Sequence, residues 1–149
     1  MKISTKTRYG LRALIYIAEE TINDEEKLVR IKEISENQKL SVQYLEQILF
    51  KLKKSGIIIG KRGPNGGYRL NKTPEEISIL EVFNVLETDI RVVMCDKHNK
   101  NCVRTDCRTL YLWDKLDVAL SKILEETTLF ELMKNGEVRG FGNTSIISS

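Results

Sequence analysis

Residues 41–70 read SVQYLEQILFKLKKSGIIIGKRGPNGGYRL, and their pattern decides the fold. Ser41 stands where an N-cap belongs, its hydroxyl able to accept from an orphan backbone N–H of the first turn. Apolar residues then recur at helical spacing, and Gly56 suits the left-handed residue just past a helix end. A helix is therefore expected over 42–55. Ile57-Ile58-Ile59 is a β-branched run and reads as a strand. Gly60-Lys61-Arg62-Gly63-Pro64-Asn65-Gly66-Gly67 is rich in turn residues, and Tyr68-Arg69-Leu70 reads as the returning strand.

Upstream, a short helix is expected over 30–37 with Ile31 and Ile34 inward, followed by a turn at Asn37-Gln38-Lys39. Short helix, turn and longer helix make a helix-turn-helix, and a hairpin directly after it is a wing. Further upstream, Leu11, Leu14, Ile15 and Ala18 share one face of a helix over 5–20, with Thr5 or Thr7 as its cap, and 21–28 reads as a polar loop. Downstream, Asn71 to Pro74 punctuates the unit, and a helix over 78–87 offers Leu80, Val82, Phe83 and Leu86 to the core. Residues 88–105 lack periodicity. A helix over 106–125 carries Leu110, Trp113, Leu116, Leu120, Ile123 and Leu124, an apolar stripe too strong for an exposed helix. Thr127 or Thr128 caps a last helix that stops at Gly136, and 137–149 has the composition of a disordered tail.

The 149-residue chain is 41% apolar and 30% charged, as soluble globular proteins are. Its apolar runs fall far short of the roughly 20 residues of a membrane span, and the N-terminal one meets Glu19 and Glu20 too soon for a signal peptide. A cytoplasmic protein with no membrane partner is expected. The net charge of +3 hides an asymmetry. Residues 1–72 hold 15 Lys/Arg and 8 Asp/Glu (net +7), whereas 73–149 hold 9 and 13 (net −4). A basic front half suits a polyanion, although chance segregation on solvated faces reads the same way.

On the 42–55 helix, Leu45, Ile48, Leu49 and Leu52 form one stripe. Gln43, Gln47, Phe50 and Lys54 lie opposite, flanked by Glu46, Lys51 and Lys53. Glutamine pairs with adenine, glutamate accepts from cytosine, and lysine meets phosphate or guanine. Phe50 suits a thymine methyl or a packing contact with the wing, and the packing contact is the preferred expectation. Lys61 and Arg62 edge a glycine-rich loop whose backbone can approach a phosphate or a narrow minor groove. A plain surface hairpin would need the same glycines. A nucleotide-binding loop is excluded, because no Gly-Lys-Ser/Thr follows and a strand comes next.

The three cysteines are spaced Cys95-x6-Cys102-x4-Cys107. Such a cluster suits an iron–sulfur centre or another soft metal; the C-x2-C pairs usual for zinc are absent. A thiol sensor and inert cysteines remain open on the residues alone. His98, the single histidine, is a candidate further ligand, although a solvated loop residue is the preferred expectation; Asp96 and Asp106 are weaker candidates. With one histidine, no nucleophile–base constellation and no dinucleotide fingerprint, no enzyme activity is expected. A small iron–sulfur redox protein and a winged helix that binds protein are the readings from other classes.

Three strings together resemble the bacterial regulators that include IscR, NsrR and CymR: Ser4-Thr5-Lys6-Thr7-Arg8-Tyr9-Gly10-Leu11, Leu40-Ser41-Val42-Gln43-Tyr44-Leu45-Glu46-Gln47 and Arg62-Gly63-Pro64-Asn65-Gly66-Gly67-Tyr68. The match runs in order to about residue 133. The resemblance implies a homodimeric transcription factor, expected to be a repressor, on a palindromic double-stranded DNA operator. Its long C-terminal helix would cross that of the partner. Ser41, Gln43, Tyr44 and Glu46 match recognition-helix positions that touch DNA, and Arg62 and Pro64 match wing positions. With the residues read above, the expected DNA-binding set is Ser41, Gln43, Tyr44, Glu46, Gln47, Lys54, Lys61, Arg62 and Pro64. The resemblance also implies an iron–sulfur cluster on Cys95, Cys102 and Cys107, two-iron ahead of four-iron, sensing cluster status, redox state or nitric oxide. In the IscR type a histidine three residues after the last cysteine completes the site; here Leu110 stands there. In the NsrR type an acidic residue at the place of Arg8 in the partner chain serves. The alternative is a CymR-type regulator of cysteine metabolism that acts through a partner enzyme without a cluster.

The expected fold is mainly α with a small β-hairpin. A winged helix-turn-helix domain spans 1–87, the cysteine loop and dimerisation helices span 88–136, and a tail covers 137–149.

Overall fold

Helix α1 (Thr5–Thr21) is capped by Ser4, whose hydroxyl accepts from the Thr7 backbone N–H at 3.2 Å. The expected cap was Thr5 or Thr7. Ser4 takes the role because it is the last extended residue, while Thr7 lies inside the helix and is buried. The computed structural model of the chain describes residues 2–93 and 107–135. Expectations that fall on 94–106 and on the tail from 136 lie outside the described residues.

Helix α2 (Ile31–Gln38) runs through the expected turn and ends at Lys39, which takes the left-handed conformation at φ 54°. Helix α3 (Val42–Lys54) starts where Ser41 accepts from the Tyr44 backbone N–H at 3.2 Å. It ends at Gly56, left-handed at φ 81°, with Ile57 donating back to the Leu52 carbonyl at 3.1 Å. Strands β1 (Ile58–Lys61) and β2 (Gly67–Leu70) form an antiparallel hairpin whose register runs from Ile58 opposite Leu70 to Lys61 opposite Gly67. The ladder extends further into the glycine-rich segment than composition suggests.

The region upstream of α2 also joins the wing. Val29 and Tyr68 exchange two backbone hydrogen bonds, each 2.8 Å, as an isolated antiparallel bridge. Gly67 makes this approach possible, because a Cβ there would lie 2.6 Å from the Val29 carbonyl oxygen.

Helix α4 (Ile79–Leu86) is capped by Ser78, α5 spans Leu110–Glu126, and α6 spans Leu129–Asn135. Helix α5 begins four residues later than its sequence pattern suggests, without a side-chain cap at Thr109. The α5–α6 corner is stitched to the start of α4: Ile79 donates to the Thr127 carbonyl and Leu129 to the Ile77 carbonyl, both at 2.9 Å. The main core gathers Leu14 and Ile17 of α1, Ile34 of α2, the Leu45–Ile48–Leu49–Leu52 stripe of α3, Val82 of α4 and Leu129 of α6. Each side chain buried this fully contributes about 1.5–3 kcal/mol before entropy is counted. A second cluster of Ile79, Phe83 and Leu124 fastens α5 onto α4. Of the expected α5 stripe, Leu124 is buried, Leu110, Trp113 and Leu120 are half-buried, and Leu116 and Ile123 are exposed. Val118 and Tyr111 are exposed on the same helix. Among the described residues no helix is long and apolar enough to cross a membrane.

Candidate nucleic-acid interface

The inward stripe of α3 is fully buried, which orients the opposite face outward. Ser41, Gln43, Glu46, Gln47, Lys51, Lys53 and Lys54 are exposed there. Tyr44 is half-buried; its ring meets Tyr9 of α1 edge-on, with centroids 6.2 Å apart and planes at 87°. Arg12 caps this pair, its guanidinium 5.4 Å from the Tyr9 centroid and its Nε donating to Gln38 Oε1 at 2.8 Å. This packing places Tyr44 beside the exposed polar row.

Between α3 and the wing lies an open cleft of about 720 Å³. Glu46, Phe50 and Lys53 line it from α3, Lys61, Arg62 and Pro64 from the hairpin, and Arg30 and Lys32 from the start of α2. Five cations thus face one carboxylate. Among the described residues, no ion pair engages Lys53, Lys54, Lys61 or Arg62, whereas Arg69 on the hairpin is held by Glu26 and the Glu25 carbonyl. Unpaired cations in a concave wall focus positive potential. Burial, and secondarily the Glu46 carboxylate, push the Tyr68 phenol above its ordinary value, so it stays a neutral hydroxyl at the cleft floor.

The wing loop has little freedom to change. A Cβ on Gly66 would sit 2.2 Å from the Lys61 carbonyl oxygen, and Gly63 is left-handed at φ 108°. Lys61, Arg62 and Pro64 are exposed on this tightly folded turn. Phe50 departs from the preferred expectation. It shares the cleft with the wing, yet the residue stays 67% exposed rather than packed away. The sequence reading also missed Arg30, Lys32 and the Tyr9–Arg12–Tyr44 stack. The cations were visible as charges at the start of a helix, but their approach to the wing depends on the Val29–Tyr68 bridge.

Of the expected cluster ligands, Cys95, Cys102 and His98 lie outside the described residues, as do Asp96 and Asp106. Cys107 is half-buried just before α5, its sulfur 3.1 Å from Thr109 Oγ1. Leu110 is the first residue of α5. No group of three His, Cys, Asp or Glu placed to hold a metal occurs among the described residues. The chain entering the cysteine segment is firmly tethered. Glu87 accepts from the Ser4 backbone N–H at 2.8 Å, Arg91 grips Asp89 with its closest contact at 2.6 Å, and the Val92 N–H donates to Asp117 Oδ1 of α5 at 2.6 Å. Arg91 holds the Asp89 carboxyl down at about 2. Burial pushes the Glu87 carboxyl up, but hydrogen bonds from Thr7 and Ser4 outweigh it and leave the group below its ordinary value.

A family model described as "Rrf2: Iron-dependent Transcriptional regulator" matches residues 3–135. The chain belongs to the Rrf2 family of transcriptional regulators. Among curated relatives, the HTH-type transcriptional regulator IscR of Aliivibrio salmonicida (strain LFI1238) is 36% identical over 141 residues, covering 93% of this chain and 81% of that protein. Among solved structures, CymR (YrzC), the global cysteine regulator of B. subtilis, superposes with a TM-score of 0.74 at 33% identity, covering 90% of this chain and 97% of that one. T. potens IscR superposes with a TM-score of 0.71 at 31% identity, covering 92% and 89%. This Rrf2-family chain therefore has the winged-helix fold expected from residues 41–70.

Proposed function

We propose that the chain is a homodimeric, sequence-specific repressor that binds a palindromic operator with α3 and the wing. The observation that supports this most is the cleft between them, whose cations have no ion-pair partner among the described residues and lie beside an exposed row of amides. In this reading Gln43, Glu46 and Gln47 read base edges in the major groove. Ser41, Tyr44 and Lys54 hold the backbone alongside, and Lys61, Arg62 and Pro64 carry the wing contact. Half-sites would lie about one helical turn apart. Duplexes selected from a random pool test it: tight binding of the selected sequence, weaker binding of its scramble and a steep loss with salt are expected. Equal affinity for both duplexes overturns it.

The signal is proposed to arrive through Cys95, Cys102 and Cys107, which would hold an iron–sulfur cluster, two-iron ahead of four-iron, in the cytoplasm. Three soft thiol donors within thirteen residues suit such a group, and Cys107 stands just before α5. When bound, it supplies a centre responsive to redox state, to nitric oxide or to the availability of clusters. The chain's own part is mechanical. Glu87, Asp89, Arg91 and Asp117 tie the residues entering the cysteine segment to α1 on one side and α5 on the other. A shift of that segment would move α5, and with it the two recognition helices, between states of different DNA affinity. Protein purified anaerobically should be coloured and carry iron and sulfide, and Cys102→Ser should lose both while staying folded.

The likeness to CymR, with Leu110 where a fourth ligand would be, favours a second reading, in which the chain responds to cysteine status without a cluster. Colourless, iron-free anaerobic protein that still binds its operator would select that reading.

A further inference from the structure

Resting on the proposed DNA-binding reading, we infer that Phe50 is a specificity-determining residue that recognises a thymine methyl in the major groove of the operator. Four large apolar residues of α3, Leu45, Ile48, Leu49 and Leu52, are fully buried, yet Phe50 on the same helix is 67% exposed. It is no loose end of the core. It continues the row of Gln43 and Gln47 at helical spacing, on the face turned away from the stripe.

Its surroundings narrow the choice of partner. Phe50 sits in the cleft with Arg30, Lys32, Lys53 and Arg62 around it. A ligand that satisfies these cations is a polyanion, and one that also repays the exposed ring must carry an apolar group at base level. In the major groove of duplex DNA the thymine C5-methyl is that group. Phe50 is open to solvent within that cleft, and so open to a ligand that enters it.

The test exchanges one methyl at a time. A duplex selected from a random pool is remade with each thymine replaced by uracil, and wild type and Phe50→Ala are titrated onto every version. At one thymine of each half-site, loss of the methyl should weaken wild-type binding about fourfold, the scale of one buried methyl. Phe50→Ala should bind the thymine and uracil versions equally, with an unchanged salt slope, because no charge is lost. Its thermal melt should match wild type, since the ring is mostly exposed. Specific wild-type binding that is indifferent to every thymine-to-uracil change overturns the role of Phe50 and leaves the DNA-binding reading standing. So does a methyl dependence that persists in Phe50→Ala. Failure of wild type to enrich any sequence overturns both.

Discussion

Arg62 carries the sharpest expectation at the scale of single residues. It is exposed on a turn that Gly66 and Gly63 hold in one shape, and no carboxylate pairs with it among the described residues. Replacing it with alanine should weaken specific binding about tenfold or more, within the ~1–3 kcal/mol typical of a good side chain–base contact. Titration onto selected and scrambled duplexes reads this; unchanged affinity and unchanged preference would remove Arg62 from the interface. Gly67 is the structural counterpart. A methyl there would press on the Val29 carbonyl, a backbone atom that cannot swing away. Gly67→Ala should cost about 1–3 kcal/mol and lower Tm by several degrees, seen in a thermal melt followed by circular dichroism. A melt identical to wild type would show that the bridge to Val29 is dispensable.

Between elements, the tether at residues 87–92 has a pH signature. The folded Asp89 carboxyl lies at about 2 against an ordinary 3.8. Its ionised form is therefore stabilised by folding, and that contribution is complete above about pH 4 and lost as pH falls towards 2. Glu87, also shifted down, acts with the same sign. Asp89→Asn should melt below wild type at neutral pH, and the gap should narrow below about pH 4 and close only as pH reaches about 2; a gap constant with pH would contradict the ion pair with Arg91. Elements set by local chemistry were legible in sequence: Ser41 and Gly56 bound α3 because capping needs only neighbouring atoms. What was missed depends on distant partners. Nothing local marks Val29, between the 21–28 loop and the 30–37 helix, because its partner, Tyr68, is on the wing. Arg30 and Lys32 became cleft residues only through that pairing. Ser4 rather than Thr5 caps α1, a one-residue difference that spacing alone does not resolve.

At the scale of the whole molecule, α5 leaves Tyr111, Leu112, Val118 and Ile123 exposed on one chain. The proposed homodimer gives this surface an occupant. Changing Val118 and Ile123 together to glutamate should yield a folded monomer by analytical ultracentrifugation, with operator affinity reduced at least tenfold, because each half-site then binds alone. A dimer that survives both changes would place the interface elsewhere. The candidate site divides in the same way. The amide row and wing cations were legible because they follow helix periodicity and turn composition, whereas the exposure of Phe50 depends on how far the wing leans over α3.

The claim that α3 and the wing read DNA is tested most directly by titrating the wild-type protein onto a labelled selected duplex and onto its scramble at a series of salt concentrations. Log affinity should fall linearly with log salt at a slope equivalent to several phosphate contacts, with the selected duplex bound more tightly throughout. Salt-independent binding, or equal affinity for the two duplexes at every salt concentration, would contradict it.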